Sequence, residues 1–262
     1  MRRIDSPSLL RPEALAAALA GQGPDLSSLG PEDTAAVLFL IQDRPGDGRA
    51  PGLLLTKRSP WVRQPGDLCC PGGRVHPRVD GVLGDLLALP GSPLTRGAGC
   101  ETDTFGDSER TRLLGLYWAC ALREAWEEMG LNPWGVEFMG VLPLNALASS
   151  VRGILPLVGW TEAPQRFRPN DEVERVVSIP FASLLERGNY CEYRLEGDWS
   201  GSWPGFVCEH EGGREVLWGA TYRIVTTFLE IVFGFEPPRT AGRPVITGTL
   251  DSAYATGRRR PG

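Results

Sequence analysis

The chain has 262 residues, of which 42% are hydrophobic and 23% charged, with a net charge of −5 at pH 7. This composition is typical of a soluble globular protein, and the length allows one large domain or two small ones. The acidic balance argues against a general nucleic-acid-binding protein. No run approaches the roughly 18 apolar residues of a membrane helix, so we expect no membrane partner either.

The cysteines and the amino terminus narrow the class further. Six cysteines include no Cys-x-x-Cys pair, and with two histidines a structural zinc site is disfavoured. Cys69 and Cys70 are adjacent and should pack as small apolar residues on opposite faces of a strand. Residues 1–7 are charged and lack an apolar segment, which predicts a cytoplasmic protein without a secretion signal.

The first predicted elements are a helix and two strands. Residues 11–20 predict a short helix with Pro12 in its first turn, part of an accessory extension over residues 1–33. Residues 34–41 are rich in Val, Leu and Phe and predict a buried strand, and residues 53–58 predict the next.

A segment punctuated by glycine and proline follows, over residues 78–112. It predicts loops with one helical turn around residues 85–89. Loops of this length are commonly lids, binding loops or mobile segments, and both a lid and an inert insertion remain open. Ser108 can cap a long helix that runs from Glu109 to Met129.

The later elements alternate between strands, short helices and hairpins. We predict strands over 136–142, 154–160 and 173–178, a short helix over 181–187, loops or a hairpin over 190–215 and an amphipathic helix over 221–233. Residues 236–262 are polar and rich in glycine and proline, and we expect a loose tail.

The long helix carries an acidic cluster near its end. Glu124, Glu127 and Glu128 share one helical face because positions i, i+3 and i+4 are neighbours. Like charges at this spacing cost about 0.2–0.5 kcal/mol per pair. A hard divalent cation such as Mg²⁺ would offset that repulsion and keep waters for a phosphate substrate. The alternative is a solvated acidic face with Arg123 paired to Glu127.

Residues 123–130, Arg-Glu-Ala-Trp-Glu-Glu-Met-Gly, resemble the core of the Nudix box, the signature of hydrolases of nucleoside diphosphate derivatives. The full box has a Gly, five residues, a Glu, seven residues and then Arg-Glu. Gly73 matches its start, but Gly115 stands where the first Glu belongs. Gly73 and Arg123 lie 50 positions apart where the box has fourteen, so about 36 residues are inserted.

The resemblance implies an α/β fold, an α/β/α sandwich around a mixed sheet. The Nudix domain would span residues 34–235 with an insertion at about 78–112, between the helical extension and a polar tail over 236–262. It also implies Mg²⁺ or Mn²⁺ as the cofactor.

The same resemblance assigns roles to site residues. The implied metal ligands are Glu124, Glu127, Glu128 and the backbone carbonyl of Gly72. Arg123 would orient the carboxylates by ion pairing, and one of the acids would double as a base. Glu109 and Asp80 both remain open as substitutes for the Glu missing at position 115. Glu172 is a further candidate base or ligand.

A second resemblance concerns the substrate. Residues 54–73 are similar to the coenzyme A pyrophosphatase motif, although two residues rather than three separate Arg63 from Gly66 and Cys70 replaces a Phe. Arg58 and Arg63 would bind the phosphates of the coenzyme by bidentate, charge-assisted hydrogen bonds. The alternative for both is an ordinary surface arginine. Three later stretches continue the resemblance, namely 153–159, 169–173 and 216–221.

These resemblances imply hydrolysis of coenzyme A or acyl-coenzyme A to 3′,5′-ADP and (acyl-)4′-phosphopantetheine, with a small-molecule partner only. A Nudix hydrolase of another nucleoside diphosphate derivative is the alternative that the altered spacing before Gly66 favours. A catalytically weak Nudix-like binding module is the alternative that Gly115 and the insertion favour. Both a monomer and a homodimer remain open.

Overall fold

The computed structural model describes residues 5–7, 10–43, 50–100, 108–146, 153–162, 165–197, 200–210, 213–250 and 252–257. Its helices are α1 (Pro12–Leu19), α2 (Pro77–Leu87), α3 (Ser108–Met129), α4 (Phe181–Leu184) and α5 (Gly219–Phe233). Single 3-10 turns occupy Leu26–Ser28, Pro133–Gly135, Arg187–Asn189 and Ser252–Ala255.

The strands form two sheets. Those of the larger sheet are β1 (Thr34–Gln42), β2 (Gly52–Arg58), β3 (Leu68–Cys69), β4 (Gly72–Arg74), β5 (Glu137–Val141), β6 (Asn145–Ala146), β7 (Gly153–Thr161) and β8 (Val173–Pro180). The smaller sheet contains β9 (Tyr190–Gly197), β10 (Gly201–His210), β11 (Gly213–Trp218) and β12 (Val245–Leu250).

The larger sheet is mixed. Its main order is β3-β2-β1-β7-β5, with β4 on β1, β6 on β7 and β8 on β2. β1 and β7 run parallel over nine residue pairs, from Thr34 opposite Gly153 to Gln42 opposite Thr161, whereas the other pairs are antiparallel. β2 pairs with the carboxyl end of β1 and β4 with its amino end, which brings the Gly72–Arg74 strand under α3.

Helices cover both faces of this sheet because β1 is buried on both sides. Leu38 and Leu40 belong to the core that also contains Trp118 of α3. Phe39 points the opposite way and stacks on Phe228 of α5, with ring centroids 4.4 Å apart. Side chains alternate along a strand, so one apolar run supplies both cores. The α/β class and the three-layer sandwich are confirmed.

Most predicted elements lie where the sequence places them, and two differ. The insertion holds an 11-residue helix, α2, rather than one turn at 85–89. The prediction was wrong because Gly81 and Gly84 were taken for loop residues. Residues 236–262 are not uniformly loose, because β12 pairs in parallel with β9. Residues 101–107 of the insertion, and the side chain of Ser108 with its predicted capping role, lie outside the described residues.

Gly84 and Gly115 let α2 lie against α3. A Cβ atom on Gly84 would lie 2.6 Å from the carbonyl carbon of Gly115, and one on Gly115 would lie 3.1 Å from the Gly84 oxygen. Gly115 therefore stands at a buried helix–helix contact, which explains a glycine at the position where the box carries Glu.

Cys70 is buried in the core, whereas Cys69 is half-buried, and both are free thiols. Cys70 packs as a small apolar residue, as predicted, whereas the Cys69 thiol lies within hydrogen-bond distance of Thr56. Among the described residues, no helix is both long and apolar enough to cross a membrane.

We predict that Gly84→Ala lowers the free energy of unfolding by about 1–3 kcal/mol, because the added methyl group overpacks the contact with α3. Urea unfolding measures the change. Gly81→Ala is the matched control on the same helix, since its Cβ would meet no atom within 4 Å. It should stabilise the protein by about 0.5–1 kcal/mol through helix propensity. Equal effects of the two substitutions would contradict the packing role of Gly84.

Candidate active site

Two glycines bring the backbone of β4 against the acidic end of α3. A Cβ atom on Gly73 would lie 2.5 Å from both the carboxyl carbon and one oxygen of Glu124. Gly72 has φ +154° and packs on the backbone of Ala36 and Val37 in β1, which leaves no room for a side chain. The Gly-Gly pair thus lets a carboxylate rest directly on the main chain.

Arg123 organises the side chains around this contact. Its Nε and one terminal nitrogen donate to the two oxygens of Asp80, at 2.7 and 3.3 Å. The other terminal nitrogen donates to Glu124 at 3.0 Å and to Glu127 at 3.1 Å. A further bond of 3.2 Å reaches the carbonyl oxygen of Arg74 in β4. The predicted orienting role of Arg123 therefore has a geometric basis, and the pairing with Glu127 from the alternative interpretation is also present.

Asp80, rather than Glu109, lies at the site. Its side chain is fully buried, and Oδ2 also accepts a 2.6 Å bond from the backbone nitrogen of His76 at the start of α2. Glu109 is 14 residues before Arg123 on the same helix, which corresponds to about 21 Å. Asp80 thus supplies a carboxylate partner to Arg123 from the neighbouring helix.

Glu128 is the most deeply buried of the three box acids, with 8% of its surface exposed. Within the described part of the chain its Oε2 has no hydrogen-bond partner. Burial, and after it the Glu124 carboxylate, raise the pKa of its carboxyl to about 8. Arg58 and a backbone hydrogen bond from Gly72 act in the opposite direction. This carboxylate is therefore short of favourable partners in the protein alone.

Glu124 and Glu127 differ in exposure. The Glu124 side chain is 18% exposed, and burial raises its pKa despite the opposing charge of Arg123. Glu127 is 45% exposed and lies at the rim, where it pairs with Arg123. The structure thus places Glu124 and Glu128 inside the site and Glu127 at its edge.

The segment before β8 closes the carboxyl end of α3. The backbone nitrogens of Arg168 and Asn170 donate to the carbonyl oxygens of Met129 and Glu128, at 2.8 and 2.9 Å. Glu172 follows in the same segment, and its charge contributes to the raised pKa of Glu128. Glu172 is therefore close to the acidic cluster, and its role as base or ligand stays a prediction.

The two predicted phosphate-binding arginines occupy different positions. Arg58 ends β2, and its charge lowers the pKa of Glu128, so it lies near enough to act on the acidic cluster. Arg63 is exposed, and its Nε donates to the carbonyl oxygen of Ala255 at 2.9 Å. The structure brings Arg58 to the site, whereas Arg63 contacts the carboxyl-terminal part of the chain.

Asp67 connects the coenzyme A-like motif to distant aromatic residues, and the sequence did not suggest this. It accepts a 2.6 Å bond from the hydroxyl of Tyr254 and a 3.0 Å bond from Nε1 of Trp218. Burial raises the pKa of its carboxyl, and both hydrogen bonds oppose that rise. No local sequence pattern predicts a contact between residues that are 187 positions apart.

The donor set suits a divalent cation, although the side chains do not surround one as they stand. The Glu124 carboxylate lies against Gly73, and the Glu128 carboxyl accepts a backbone hydrogen bond from Gly72 while its Oε2 has no partner among the described residues. Hard cations prefer such oxygen ligands. Among the residues that the structure describes, no three His, Cys, Asp or Glu side chains converge closely enough to hold an ion. Glu127 would have to leave Arg123 to join the other two. Carboxylates on a Gly-Gly turn, oriented by a guanidinium, define a candidate metal and phosphate site.

Comparison with known proteins places this site in a family. No family model matches the chain. The uncharacterized Nudix hydrolase NudL of Escherichia coli is 31% identical over 209 residues, which cover 78% of this chain and 84% of the relative. NudL of Klebsiella pneumoniae is 34% identical over 160 residues, or 60% of this chain and 62% of the relative. The chain belongs to the Nudix hydrolase family.

Solved structures of the same family overlap part of the chain. RenU, a Nudix hydrolase from M. smegmatis, has a TM-score of 0.37 and 19% identity over 58% of this chain and 73% of that one. The Nudix domain of Shewanella oneidensis NrtR, solved with ADP-ribose, has a TM-score of 0.34 and 16% identity over 65% of this chain and 85% of that one. Nudix hydrolases generally need divalent metal ions.

We predict that, with a chelator present to remove metal ions, the free energy of unfolding falls as the pH rises from about 4.5 to about 8. The pKa of Glu128 is about 8 in the folded protein against an ordinary value of 4.5, so ionisation is costlier in the folded state. The free-energy cost of ionising Glu128 is absent below about pH 4.5 and complete above about pH 8. Glu128→Gln should remove most of this dependence in urea unfolding at about pH 5 and pH 8.5. Glu230→Gln, on the exposed side of α5, is the control and should keep it. An unchanged slope in Glu128→Gln would contradict the assignment.

Proposed function

We propose that this Nudix hydrolase cleaves the diphosphate of coenzyme A or acyl-coenzyme A to 3′,5′-ADP and (acyl-)4′-phosphopantetheine. One observation carries the proposal. The loop with the coenzyme A-like motif leaves the sheet at Arg58, whose charge lowers the pKa of the buried Glu128 carboxyl. The residues that suggest the substrate and those that suggest the chemistry therefore border one site.

The proposed ligands of the metal are Glu124, Glu128, Glu127 and the backbone carbonyl of Gly72. The cation, Mg²⁺ or Mn²⁺, would neutralise charge on the diphosphate oxygens and lower the pKa of the attacking water. The unpartnered Oε2 of Glu128 supports this assignment, because a buried carboxylate oxygen without a donor is costly unless a ligand occupies it.

The other side chains of the site bind and orient. Arg123 holds Glu124 through one terminal nitrogen, which fixes its direction, and Glu127 would leave the same nitrogen to reach the metal. Glu127 is the acid most open to solvent and is therefore proposed as the base that takes the proton of the attacking water. Arg58 would hold a phosphate group of the coenzyme, since a planar guanidinium matches phosphate oxygens in a bidentate geometry.

The adenosine 3′-phosphate sets coenzyme A apart from other nucleoside diphosphate derivatives. A second cation near the diphosphate site would therefore favour it, and Arg63 is the proposed partner. Its Nε is bonded to Ala255, but its side chain is exposed, so the terminal nitrogens face solvent at the edge of the loop. The alternative is a Nudix hydrolase of another nucleoside diphosphate derivative, which the short spacing from Arg63 to Gly66 favours.

A substrate panel tests this function. We expect the purified protein with Mg²⁺ or Mn²⁺ to release 3′,5′-ADP from coenzyme A and to leave NADH and ADP-ribose intact, as measured by mass spectrometry of the products. Cleavage of NADH or ADP-ribose with coenzyme A intact would favour the alternative substrate. Cleavage of none of the three would favour a binding module.

We further expect Glu127→Gln and Glu128→Gln each to lower kcat by about 10²-fold or more, because each removes a ligand or a base. Glu137→Gln is the control, since this residue lies in β5 and faces Arg96 rather than the site. If Glu127→Gln retains the parent rate, its assignment as ligand and base is wrong.

Arg58→Ala should raise KM for coenzyme A by about tenfold or more, because a charge-assisted phosphate contact is lost. Arg63→Ala should raise KM more for coenzyme A than for its 3′-dephospho form, if Arg63 binds the 3′-phosphate. Arg214→Ala, in the exposed β10–β11 hairpin, is the control and should leave KM unchanged. A normal KM in Arg58→Ala would contradict its proposed role.

A further inference from the structure

The loop that carries the proposed phosphate-binding residues projects from the sheet and closes on itself at its base. The backbone nitrogen of Arg58 donates to Asp67 at 2.9 Å, and that of Gly66 donates back to Arg58 at 3.0 Å. Between these bonds the chain makes an excursion over residues 59–65. Gln64 has φ +55°, a left-handed conformation that costs free energy for a residue with a side chain. Such a loop needs external contacts to keep one shape.

The carboxyl-terminal turn, Ser252–Ala255, supplies those contacts. The backbone nitrogen of Gln64, the residue with positive φ, donates to the carbonyl oxygen of Tyr254 at 2.7 Å. Arg63 Nε donates to the carbonyl oxygen of Ala255 at 2.9 Å, and the Tyr254 hydroxyl donates to Asp67 at 2.6 Å. The turn therefore bonds to three residues of the loop, and one bond lies at its most strained position.

These contacts extend to Arg58 in one step. Arg58 Nε donates to the carbonyl oxygen of Arg63 at 2.7 Å, so the direction of its guanidinium depends on the conformation of the loop. On the opposite side, Ser59 bonds to the segment near Glu128. Its backbone nitrogen donates to the carbonyl oxygen of Glu172 at 2.8 Å, and its hydroxyl donates to the carbonyl oxygen of Asp171 at 2.7 Å. The loop thus lies between the carboxyl-terminal turn and the rim of the active site.

The smaller sheet holds the turn in place. β12 pairs in parallel with β9 from Val245 opposite Glu192 to Leu250 opposite Gly197, and the turn follows directly. The ring of Tyr254 is buried and lies 6.3 Å from that of Trp218, which also donates to Asp67. The anchor is therefore a packed element of the fold and not a contact of a free chain end.

We propose that the carboxyl-terminal turn positions the phosphate-binding loop of the active site, with Tyr254 as the positioning residue. The inference rests on the proposed function insofar as the loop binds substrate. Tyr254 contacts Asp67, Trp218 and the backbone of Gln64. Its effect passes through Asp67 and the loop to Arg58, so it governs the binding of substrate rather than the hydrolytic step.

The test is Tyr254→Phe in the full-length chain. This substitution keeps the ring against Trp218 and removes only the bond to Asp67. We expect KM for the substrate that the parent cleaves to rise by about fivefold or more, because a hydrogen bond to a carboxylate is lost, with kcat within about twofold of the parent. A fall in kcat at unchanged KM would overturn the proposal.

Tyr190→Phe is the matched control. Its hydroxyl donates to the carbonyl oxygen of Leu184 at 2.7 Å in the core, away from the loop. It loses a hydrogen bond of similar length and should leave KM unchanged. A rise in KM equal to that of Tyr254→Phe would show that general destabilisation is responsible, and the positioning role would then be wrong.

Hydrogen exchange separates this inference from the choice of substrate. We expect the peptide over residues 59–67 to exchange faster in Tyr254→Phe than in the parent and Tyr190→Phe, because loss of the hydroxyl bond to Asp67 loosens the turn whose backbone carbonyl accepts from the amide of Gln64. This result would stand even if coenzyme A proved not to be the substrate. Equal exchange in all three proteins, or faster exchange without any change in KM, would overturn the proposal.

Discussion

The guanidinium of Arg123 joins three separate segments of the chain, and the site depends on that junction. It bonds to Asp80 of α2, to the backbone of β4 at Arg74, and to the acids of its own helix. Asp80 is fully buried, so each of the two charges would be costly without the other. The bidentate pair therefore sets the position of α2 on α3. It also sets the direction of the carboxylates that rest on the Gly72–Gly73 turn.

Around this pair the protein retains charges that weaken its own stability. Glu124 is half-buried and Glu128 is buried, burial raises the pKa of both carboxyls, and the Glu124 carboxylate also raises that of Glu128. Arg123 compensates Glu124, but the described residues offer no hydrogen-bond partner to Glu128 Oε2. Fully paired polar groups are the rule in protein cores, and exceptions concentrate where a ligand binds. This loss of stability is understandable in a Nudix hydrolase, because the family generally needs divalent ions that carboxylates can bind. A simple structural domain would gain nothing from it.

Local sequence patterns were sufficient to predict most of the fold. Features that depend on contacts between distant segments were not predicted. The buried strand at β1 and the acidic face of α3 follow from periodicity, which is a property of neighbouring residues. α2 was missed because glycine is typical of loops, and the packing of Gly84 on Gly115 is apparent only in the structure. β12 was missed because its residues alternate only between exposed and half-buried, so no apolar face marks it. The same limit applies to the site. The acidic residues of the box could be identified from the sequence. The hydrogen bonds of Asp80 with Arg123 and of Asp67 with Tyr254 could not be predicted, because they link segments 43 and 187 positions apart.

The shortened spacing between Arg63 and Gly66 acquires a physical meaning in this setting. With two residues between them, the loop closes with Gln64 and Gly66 both at positive φ. Glycine adopts that conformation readily, whereas Gln64 adopts it at a cost and donates a backbone hydrogen bond to the carboxyl-terminal turn. The departure from the coenzyme A-like motif is therefore accommodated in the main chain, and Arg58 still ends β2 beside Glu128. A change in loop length that leaves the cationic group at the acidic cluster is a weak argument for a different substrate. It is a stronger argument that the carboxyl-terminal turn and the loop form one unit.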